Sequence, residues 1–369
     1  MKVVIAGGGT GGHLFPGIAL AEEIVTRHPK NDVLFVGTER GLEARVVPQS
    51  GFKLELIKVA GLKRVGLLNL VRSLFLLPLA ILRSVEILKA YKPDVVVGVG
   101  GYASGPVVLA ARLMRIPTAV QEQNALPGLT NKILGKIVDV VFTCFPEAGN
   151  HFPRRKVQML GNPIRKALME NFLRNTLPHE KFNLLVFGGS QGARIINEKM
   201  IEAVPHLDRV RDRLVILHQT GQAEVDKVRE GYAAQSANAE VVDFIRDMSE
   251  AYRKADAIVC RAGATTLAEI TVCRRAAILI PFARAADNHQ EINARSLVES
   301  GAAVMITEPE LTGERLAKEL LSLVEDDEKR KRMEKAAGRL GRPEAAREIA
   351  DVLVELAVKR WGTADGRTD

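Results

Sequence analysis

The apolar positions of this chain form short, unbroken runs that alternate with longer helical stretches. Most of the runs lack polar alternation, which is typical of strands buried on both faces of a parallel sheet. The runs that predict strands are Lys2–Ala6, Val33–Val36, Val95–Gly98, Thr118–Gln121, Val140–Thr143, Asn183–Phe187, Val215–Gln219, Val241–Phe244, Ala257–Cys260, Ala277–Pro281 and Ala303–Ile306. Helical patterns lie between them at Gly17–Arg27, Ile195–Ala203 and Asn288–Glu299. The alternation predicts an α/β chain built from βαβ units.

One pattern occurs twice, about half the chain length apart. Both KVVIAGGGTGGH (2–13) and FNLLVFGGSQGAR (182–194) consist of an apolar strand, a Gly-rich turn and the start of a helix. Two Rossmann-like, doubly wound parallel-sheet domains in tandem explain this repeat. We predict a first domain over 1–163 and a second over 164–341, with the boundary near GNPIR (161–165). A C-terminal helix over 342–361 is expected to pack back on the first domain.

Composition narrows the possible functions. The 369 residues include 52 Lys and Arg against 44 Asp and Glu, and the 47% hydrophobic and 26% charged residues are ordinary for a globular protein. Aromatic residues are only 5%, which argues against a nucleic-acid-binding protein that stacks bases. Cys144, Cys260 and Cys273 lie far apart, so we expect reduced core residues and a cytosolic protein.

Neither a signal peptide nor a membrane-spanning helix is expected. Met1 and Lys2 are followed directly by a strand and a Gly-rich turn, unlike a signal peptide. The most apolar stretch is Leu67–Leu82, and its longest uncharged piece, Ser73–Leu82, is ten residues long. A spanning helix needs about 20.

Three Gly-rich loops follow predicted strands. In the first, Gly7, Gly9 and Gly12 satisfy G-x-G-x-x-G, and Glu39 could be the acid that a dinucleotide site places after its second strand. The second runs from 98 to 106 and the third from 188 to 194. Glycines let the backbone approach a phosphate, and a helix N-terminus favours negative charge. We expect the loops to face an interdomain cleft that binds a polyanionic donor; tight turns without a ligand are the alternative.

Polar residues follow three further strands. The loop RAGATTLAE (261–269) continues into a helix, and Glu269 is placed there either to accept hydrogen bonds from a ribose or to cap the helix. The runs QEQN (121–124) and DNHQ (287–290) are candidate site loops. Ordinary solvated loop residues are the alternative for both runs.

Together these motifs carry a resemblance to a known family. The loops GGTGGH, GVGGYASGP and GGSQGAR, with QEQN…PGLTNK, GNPIR and CRAGATTLAEI…DNHQEINA, resemble the MurG family. Its members are bacterial UDP-N-acetylglucosamine transferases that complete lipid II in peptidoglycan synthesis, and they are GT-B glycosyltransferases. The resemblance extends from Val3 to about Ala303, with the motifs in the family's order.

The resemblance implies a set of site residues. On the donor side it assigns the diphosphate to Ser190, uracil to Phe244 and Ile245, the ribose to Glu269, and the sugar hydroxyls to Gln290 with His289 beside it. The wall of the nucleotide site would be Ala264, Thr265, Thr266, Leu267, Ala268 and Glu269. From the N-terminal domain and the hinge, Thr10, Gly11, Gly12, Asn124 and Arg165 would reach the donor. The acceptor side would comprise His13, Gly101, Tyr102, Ser104 and Glu122.

The chain departs from the family pattern at two positions. Gln121 stands where a His is often seen before the Glu, and His289 stands where some members have Gln. The first change removes a proton carrier at that position. The second keeps a hydrogen-bonding group but makes it sensitive to pH.

No cofactor or metal is expected. The chain has no D-x-D after a predicted strand, and the acidic run 325–328 lies in a charged helical stretch. The diphosphate charge would be met by helix N-termini, Gly-loop amides and Arg165.

The reaction implied by the resemblance moves N-acetylglucosamine from UDP to the 4-hydroxyl of N-acetylmuramic acid, with inversion to a β1→4 bond. The acceptor would be lipid I, in which this sugar is linked to a polyprenyl diphosphate. A general base must lie within about 2.6–3.2 Å of that hydroxyl. His13 is the first candidate and Glu122 the second. For His13, stabilising the diphosphate as a cation or capping the helix are alternatives.

Two other functions compete. An NAD-dependent oxidoreductase would use Gly7, Gly9, Gly12 and Glu39, but it leaves the other Gly-rich loops and Glu269 unexplained. A non-catalytic membrane-surface protein would use the apolar basic stretch but not a two-domain cleft. Binding of UDP rather than NAD separates the first rival from a glycosyltransferase.

A lipid acceptor implies docking on the cytoplasmic face of the membrane as a peripheral protein. We place the docking patch on Leu67–Lys89, because on a helical projection Leu76 and Leu79 fall on one face with Arg72 and Arg83. Pro78 is expected to split this stretch into two helices. A buried hairpin with arginines extending to solvent is the alternative.

Overall fold

The computed structural model describes residues 1–39, 41–59, 67–173, 180–189 and 191–362, with backbone alone at 67–75, 170–173, 286 and 360–362. The chain divides into two compact units. One comprises Met1–Lys166 and Pro343–Asp369, and the other comprises Ala167–Arg342. We refer to them as unit 1 and unit 2.

Strands and helices alternate through both units. The strands are β1 (Lys2–Gly7), β2 (Asp32–Gly37), β3 (Lys53–Leu56), β4 (Val95–Gly100), β5 (Thr118–Glu122), β6 (Val140–Thr143), β7 (Val157–Met159), β8 (Phe182–Phe187), β9 (Leu214–Gln219), β10 (Ala239–Val242), β11 (Ala257–Cys260), β12 (Ala276–Leu279) and β13 (Ala303–Met305). The helices are α1 (Gly11–Arg27), α2 (Glu43–Gln49), α3 (Leu67–Tyr91), α4 (Ser104–Leu113), α5 (Leu129–Leu134), α6 (Pro146–Gly149), α7 (Lys166–Leu173), α8 (Arg194–Ala203), α9 (Val225–Ala233), α10 (Met248–Lys254), α11 (Ala264–Val272), α12 (His289–Glu299), α13 (Gly313–Glu325), α14 (Asp327–Leu340) and α15 (Ala345–Gly362). Short 3-10 helices lie at Arg154–Lys156, Val204–Arg213, Ala286–Asn288 and Glu308–Glu310.

The described residues of each unit form one parallel sheet. The order in unit 1 is β3-β2-β1-β4-β5-β6-β7, and in unit 2 it is β10-β9-β8-β11-β12-β13. The central strands are buried along almost their whole length, which explains their continuous apolar sequence. Strand order reverses between β1 and β4 and between β8 and β11. A ligand crevice of an open α/β sheet lies at the carboxyl ends of such strands.

The predicted strands are confirmed, with differences that have physical causes. The prediction omits β3 and β7, because both are partly exposed edge strands whose sequences mix polar and apolar residues. Strand β10 ends at Val242, so Asp243 and Phe244 lie in the following turn. Helix α1 begins at Gly11 rather than Gly17, because its first turn is rich in glycine and lacks a helical pattern.

The predicted break at Pro78 is wrong. Helix α3 continues from Leu67 to Tyr91 with Pro78 inside it. Pro78 is exposed, so the carbonyl that loses its N–H partner one turn earlier can be hydrated. Over the described residues, no helix combines the length and apolar character that crossing a membrane requires.

The last helix completes the core of unit 1. Ile349 and Leu353 of α15 are fully buried in the cluster that also contains Ile24 of α1. At the edge of this contact, Arg27 forms an ion pair with Asp351 at 2.6 Å. Burying each large aliphatic side chain contributes about 1.5–3 kcal/mol.

Candidate active site

In unit 1 the first two Gly-rich loops contact each other at the point where strand order reverses. The amide of Gly8 donates to the carbonyl of Gly100 at 3.3 Å. Gly101 has a φ of +81°, and a Cβ there would collide with the carbonyl of Gly8. Only glycine fits this close approach, so the sequence of the second loop sets the spacing between the loops.

Ser104 ties the second loop to the sheet. It is fully buried at the start of α4, and its hydroxyl donates to the carbonyl of Ala6 at 2.6 Å and accepts from the amide of Gly100 at 3.0 Å. Tyr102, two residues earlier, is 53% exposed. Within this predicted acceptor loop, Ser104 is therefore a buried anchor, and Tyr102 is exposed and accessible to a ligand.

His13 lies in the first turn of α1 with its ring packed against Gly100. Its Nδ1 is 2.9 Å from Oε1 of Gln123, whose Nε2 donates to the carbonyl of Val99 at 3.0 Å. Because that second bond fixes the orientation of the amide, Nδ1 of His13 must be the donor. The lone pair of a neutral His13 is then on Nε2.

Glu122, at the end of β5, is 1% exposed. One carboxylate oxygen accepts from the amide and side chain of Asn124, at 3.0 and 3.3 Å. The other accepts from the amide of Gly128 at 3.2 Å and from Nδ2 of Asn131 at 2.9 Å. These four hydrogen bonds give the carboxylate a role in holding the loop after β5.

A pocket of about 230 Å³ lies beside these groups. It is lined by His13, Gly100, Gly101, Tyr102, Glu122, Gly128, Leu129, Thr130, Asn131 and Ile133. It therefore brings four of the five predicted acceptor residues together with two exposed aliphatic side chains of α5, whereas buried Ser104 does not line it.

Glu43 is a site residue that the sequence analysis missed. Its buried carboxylate accepts from the amide of Gly9 at 2.7 Å and from the amide and hydroxyl of Thr38 at 2.9 Å. A Cβ at Gly8 or Gly37 would collide with it. An internal carboxylate thus occupies the turn where a dinucleotide would need positive potential, which argues against the NAD hypothesis. No motif spacing in one sequence reveals this contact.

Arg165 is exposed and lies over the ring of Phe15, 5.4 Å from its centroid. Glu22, about two helical turns after Phe15 on α1, is a second neighbour of Arg165. Burial raises the pKa of Glu22, and the charge of Arg165 opposes this shift. Helix α1 therefore positions both His13 and Arg165.

In unit 2, Glu269 lies half-buried on α11, near the loop that follows β11. The hydroxyl of Tyr252 donates to Oε2 of Glu269 at 2.9 Å. Burial and then the negative charge of Glu269 raise the pKa of Tyr252 well above its usual value, so the phenol remains a donor. The carboxylate is thereby oriented by a buried side chain.

The other predicted donor residues differ in how far they are buried and in their hydrogen-bond partners. Ile245 is buried and its amide donates to Oε1 of Gln219 at 2.8 Å, while the ring of Phe244 is 52% exposed. Oε1 of Gln290 accepts from the amide of Phe282 at 3.0 Å. Of the other predicted wall residues on α11, Ala264 and Leu267 are buried, and Thr265, Thr266 and Ala268 are half-buried. Ser190 lies outside the described residues.

The predicted site residues fall into two groups. Unit 1 contains Thr10, Gly11, Gly12, His13, Gly101, Tyr102, Ser104, Glu122, Asn124 and Arg165, and unit 2 contains Ile245, the Ala264–Glu269 segment and Gln290. Among the described residues, no group of three or more His, Cys, Asp or Glu side chains is arranged to bind a metal ion.

Two family models match the sequence. They are the glycosyltransferase family 28 N-terminal domain, over residues 3–143, and the glycosyltransferase family 28 C-terminal domain, over residues 183–351. Each match begins within one of the two Gly-rich repeats and extends over most or all of the strands of that unit's sheet.

Similar proteins support the same assignment. The chain is 63% identical over 362 residues to the UDP-N-acetylglucosamine–N-acetylmuramyl-(pentapeptide) pyrophosphoryl-undecaprenol N-acetylglucosamine transferase of Myxococcus xanthus (strain DK1622), covering 98% of this chain and 94% of the relative. It is 61% identical over 367 residues to the protein of the same description from Anaeromyxobacter sp. (strain Fw109-5), covering 100% and 96%. The crystal structure of Acinetobacter baumannii MurG superimposes with a TM-score of 0.80 at 32% identity, covering 96% of this chain and 99% of that one.

The chain therefore belongs to glycosyltransferase family 28, within the MurG family of bacterial N-acetylglucosamine transferases. Its two parallel-sheet units have the GT-B fold. The resemblance in the sequence motifs is confirmed.

Proposed function

We propose that this protein transfers N-acetylglucosamine from UDP-N-acetylglucosamine to the 4-hydroxyl of N-acetylmuramyl-(pentapeptide) on undecaprenyl diphosphate. This step converts lipid I to lipid II in peptidoglycan synthesis. The observation that carries the proposal is identity above 60% along nearly the whole chain to transferases of that description. It makes the protein part of cell-wall growth, and hence of cell shape and division.

Unit 2 supplies the groups suited to the nucleotide. We assign the ribose to Glu269, oriented by Tyr252, and the uracil to the turn at Phe244 and Ile245. The N-terminus of α11 and the loops after β8 and β11 offer positive potential to the diphosphate. Gln290 is assigned to the sugar hydroxyls, and Arg165 of unit 1 to the phosphate charge.

Unit 1 supplies the groups suited to the acceptor. We assign the base to His13, because its Nδ1 proton is donated to Gln123 and its Nε2 can accept a proton. Glu122 then acts as a positioning residue, since its carboxylate is buried and accepts four hydrogen bonds. Gly101 and Tyr102 face the acceptor, and Ser104 holds their loop.

The reaction is a direct displacement. The oxygen of the acceptor hydroxyl attacks C1 of the donor sugar from the side opposite the diphosphate and passes its proton to Nε2 of His13. The bond from C1 to the diphosphate oxygen breaks as the new bond forms, and UDP leaves with the electron pair. An α-linked donor thus gives a β1→4 product.

We also propose peripheral docking on the cytoplasmic face of the membrane through α3. Leu79 and Leu82 are 61% and 60% exposed, and Arg83 lies on the same face of the helix. Leu76 is half-buried, so Leu82 replaces it in the patch, while the side chain of Arg72 lies outside the described residues. We call Leu79, Leu82 and Arg83 the α3 patch.

A transfer assay tests the proposed activity. Purified protein is incubated with labelled UDP-N-acetylglucosamine and a lipid I analogue, and the product is analysed by mass spectrometry and by its anomeric coupling constant. We expect UDP release and one β1→4-linked N-acetylglucosamine per acceptor. UDP-N-acetylglucosamine consumption without acceptor glycosylation would contradict the proposal.

A further inference from the structure

Gln219 lies where two loops of the proposed donor site approach each other. It is the last residue of β9, which pairs with β8 on one side and β10 on the other. In register, Gln219 is opposite Phe187 of β8 and Val242 of β10. The loop beginning at Gly188 follows Phe187, and the turn containing Ile245 follows Val242. The side chain of Gln219 therefore starts between them.

That side chain bonds to both loops. Nε2 of Gln219 donates to the carbonyl of Gly189 at 2.9 Å, and Oε1 accepts from the amide of Ile245 at 2.8 Å. Gln219 is 3% exposed, so water does not compete freely for these bonds. A primary amide can donate to one loop and accept from the other, and it does so at any pH because it does not titrate.

The surrounding backbone makes the bridge stiff. The carbonyl of Gly189 also accepts the amide of Gly192 at 2.9 Å, and a Cβ at Gly192 would collide with the carbonyl of Thr220. On the other side, the amide of Thr220 donates to the carbonyl of Val242 at 3.0 Å. The end of β9 is thus packed between the two loops, and Gln219 closes the contact.

We propose that Gln219 is a positioning residue that fixes the distance between two segments of the donor site. One is the loop containing Gly189, assigned to the diphosphate, and the other is the turn containing Ile245, assigned to uracil. This inference rests on the proposed function, which assigns those two ligands to these loops. Holding both loops at one spacing lets a single nucleoside diphosphate engage them together without an ordering cost at binding. Without the bridge, each loop would bind its part of the ligand independently.

The test compares Kd values for uridine, UMP and UDP by calorimetry in the wild type and in Gln219→Met, which keeps the length and removes both hydrogen bonds. We expect the Kd for UDP to rise about tenfold, or about 1.4 kcal/mol. The ratio of the uridine Kd to the UDP Kd should shrink about fivefold, because the loop that binds the phosphates is no longer held in place before binding. The donor KM should rise by a similar factor as the UDP Kd, with kcat within about threefold.

A second variant, Gln219→Glu, keeps the shape of the side chain, and its UDP affinity can be restored by protonating the carboxyl. When ionised, it can accept from Ile245 but cannot donate to Gly189, so UDP affinity falls. When protonated, the carboxyl regains a donor, so its UDP affinity relative to the wild type at the same pH should recover on lowering the pH from 8 to 5. A purely structural role would not produce this recovery.

Gln235 provides the matched control. Its Nε2 also donates to backbone carbonyls of unit 2, those of Ile201 and Gly231. Gln235→Met and Gln235→Glu should leave all three Kd values unchanged. Equal weakening of uridine and UDP by the Gln219 variants, or a UDP Kd within twofold of the wild type, would overturn the bridge. A wild type that binds no UDP would instead refute the proposed function.

Discussion

Glu269 has one carboxylate oxygen 2.9 Å from the buried hydroxyl of Tyr252, which holds the carboxylate in one orientation on α11. We expect Glu269→Ala to raise the donor KM at least tenfold while kcat at saturating donor falls less than threefold. Losing hydrogen bonds to a charged group costs about 1.5–3 kcal/mol. Steady-state kinetics over donor concentration give both constants. Tyr252→Phe should raise KM by a smaller factor, and an unchanged KM in Glu269→Ala would remove the ribose assignment.

His13 has its Nδ1 proton committed to Gln123, so a base role depends on Nε2. We expect His13→Ala to lower kcat by about 10²–10⁴-fold, the usual effect of removing a general base. UDP affinity should change less than threefold, which calorimetry can measure. His151→Ala, at an exposed histidine of the same unit, is the control. Turnover near the wild-type level would leave His13 only as a residue of the first helical turn.

His218 gives unit 2 a defined dependence of stability on pH. It is fully buried between the hydroxyl of Tyr232 and Oδ1 of Asn197, at 2.9 and 3.1 Å, and burial lowers its pKa to about 3. Its unfolded pKa is about 6.5, so between these values the unfolded state binds one more proton and stability falls as pH falls. From pH 7 to pH 5 this amounts to about 2 kcal/mol.

Hydrogen exchange in unit 2, measured against urea concentration at pH 7, 6 and 5, gives the free energy of unfolding of this unit at each pH. The free energy of unfolding should change less steeply with pH in His218→Gln, because the amide does not titrate. An equal slope in both proteins would show that other groups cause the acid sensitivity.

The sequence predicted which residues carry polar chemistry but not which buried partners orient them. His13, Glu122 and Glu269 stand in recognisable motifs. Glu43 and Gln219 do not stand in such motifs. Glu43 contacts Gly9, which is distant in sequence, and Gln219 contacts two loops that follow different strands. A single sequence contains the side chain but not the register and loop geometry that bring its partner within 3 Å.

At the scale of elements, α3 presents Leu79 and Leu82, which are 61% and 60% exposed among the residues that the structure describes. We expect Leu79→Ser combined with Leu82→Ser to reduce sedimentation with anionic liposomes and activity on a full-length lipid acceptor several-fold. Basic residues near an anionic surface contribute about 1 kcal/mol each, and buried apolar area contributes the rest. Activity on a short-chain, water-soluble acceptor should remain.

The exposed pair Val354 and Val358 of α15 provides the control for this experiment. Val354→Ser with Val358→Ser removes similar apolar surface from another helix of unit 1. If both double variants lost liposome binding equally, the contact would depend on general hydrophobicity rather than on the α3 patch.

Elements with a strong pattern were predictable, and marginal ones were not. Central strands such as β1 and β4 are buried on both faces, so their sequences are apolar throughout. Edge strand β3 has mixed exposure and was omitted, since little burial constrains its sequence. The unbroken helix through Pro78 was not predictable from local rules, because it depends on that residue facing solvent.

At the scale of the whole molecule, the C-terminal helix belongs to the N-terminal unit. Leu353 is fully buried with Ile24 in one cluster, so we expect Leu353→Ala to destabilise unit 1 by about 2–5 kcal/mol. Hydrogen exchange should accelerate in β1 and β4 and stay unchanged in β8 and β11. Acceleration in both sheets would mean that the two units unfold together.

This arrangement of α15 has a consequence for biosynthesis. Residues 1–166 leave the ribosome first, yet the buried face that α15 covers stays open until Ala345–Gly362 has been made. At about 5–20 residues per second, translating unit 2 takes on the order of 10–35 s. Unit 2 can thus fold completely while its older neighbour still displays apolar surface. During that interval the nascent chain exposes apolar surface of the kind that chaperones bind, and the first unit to emerge is the last to be finished.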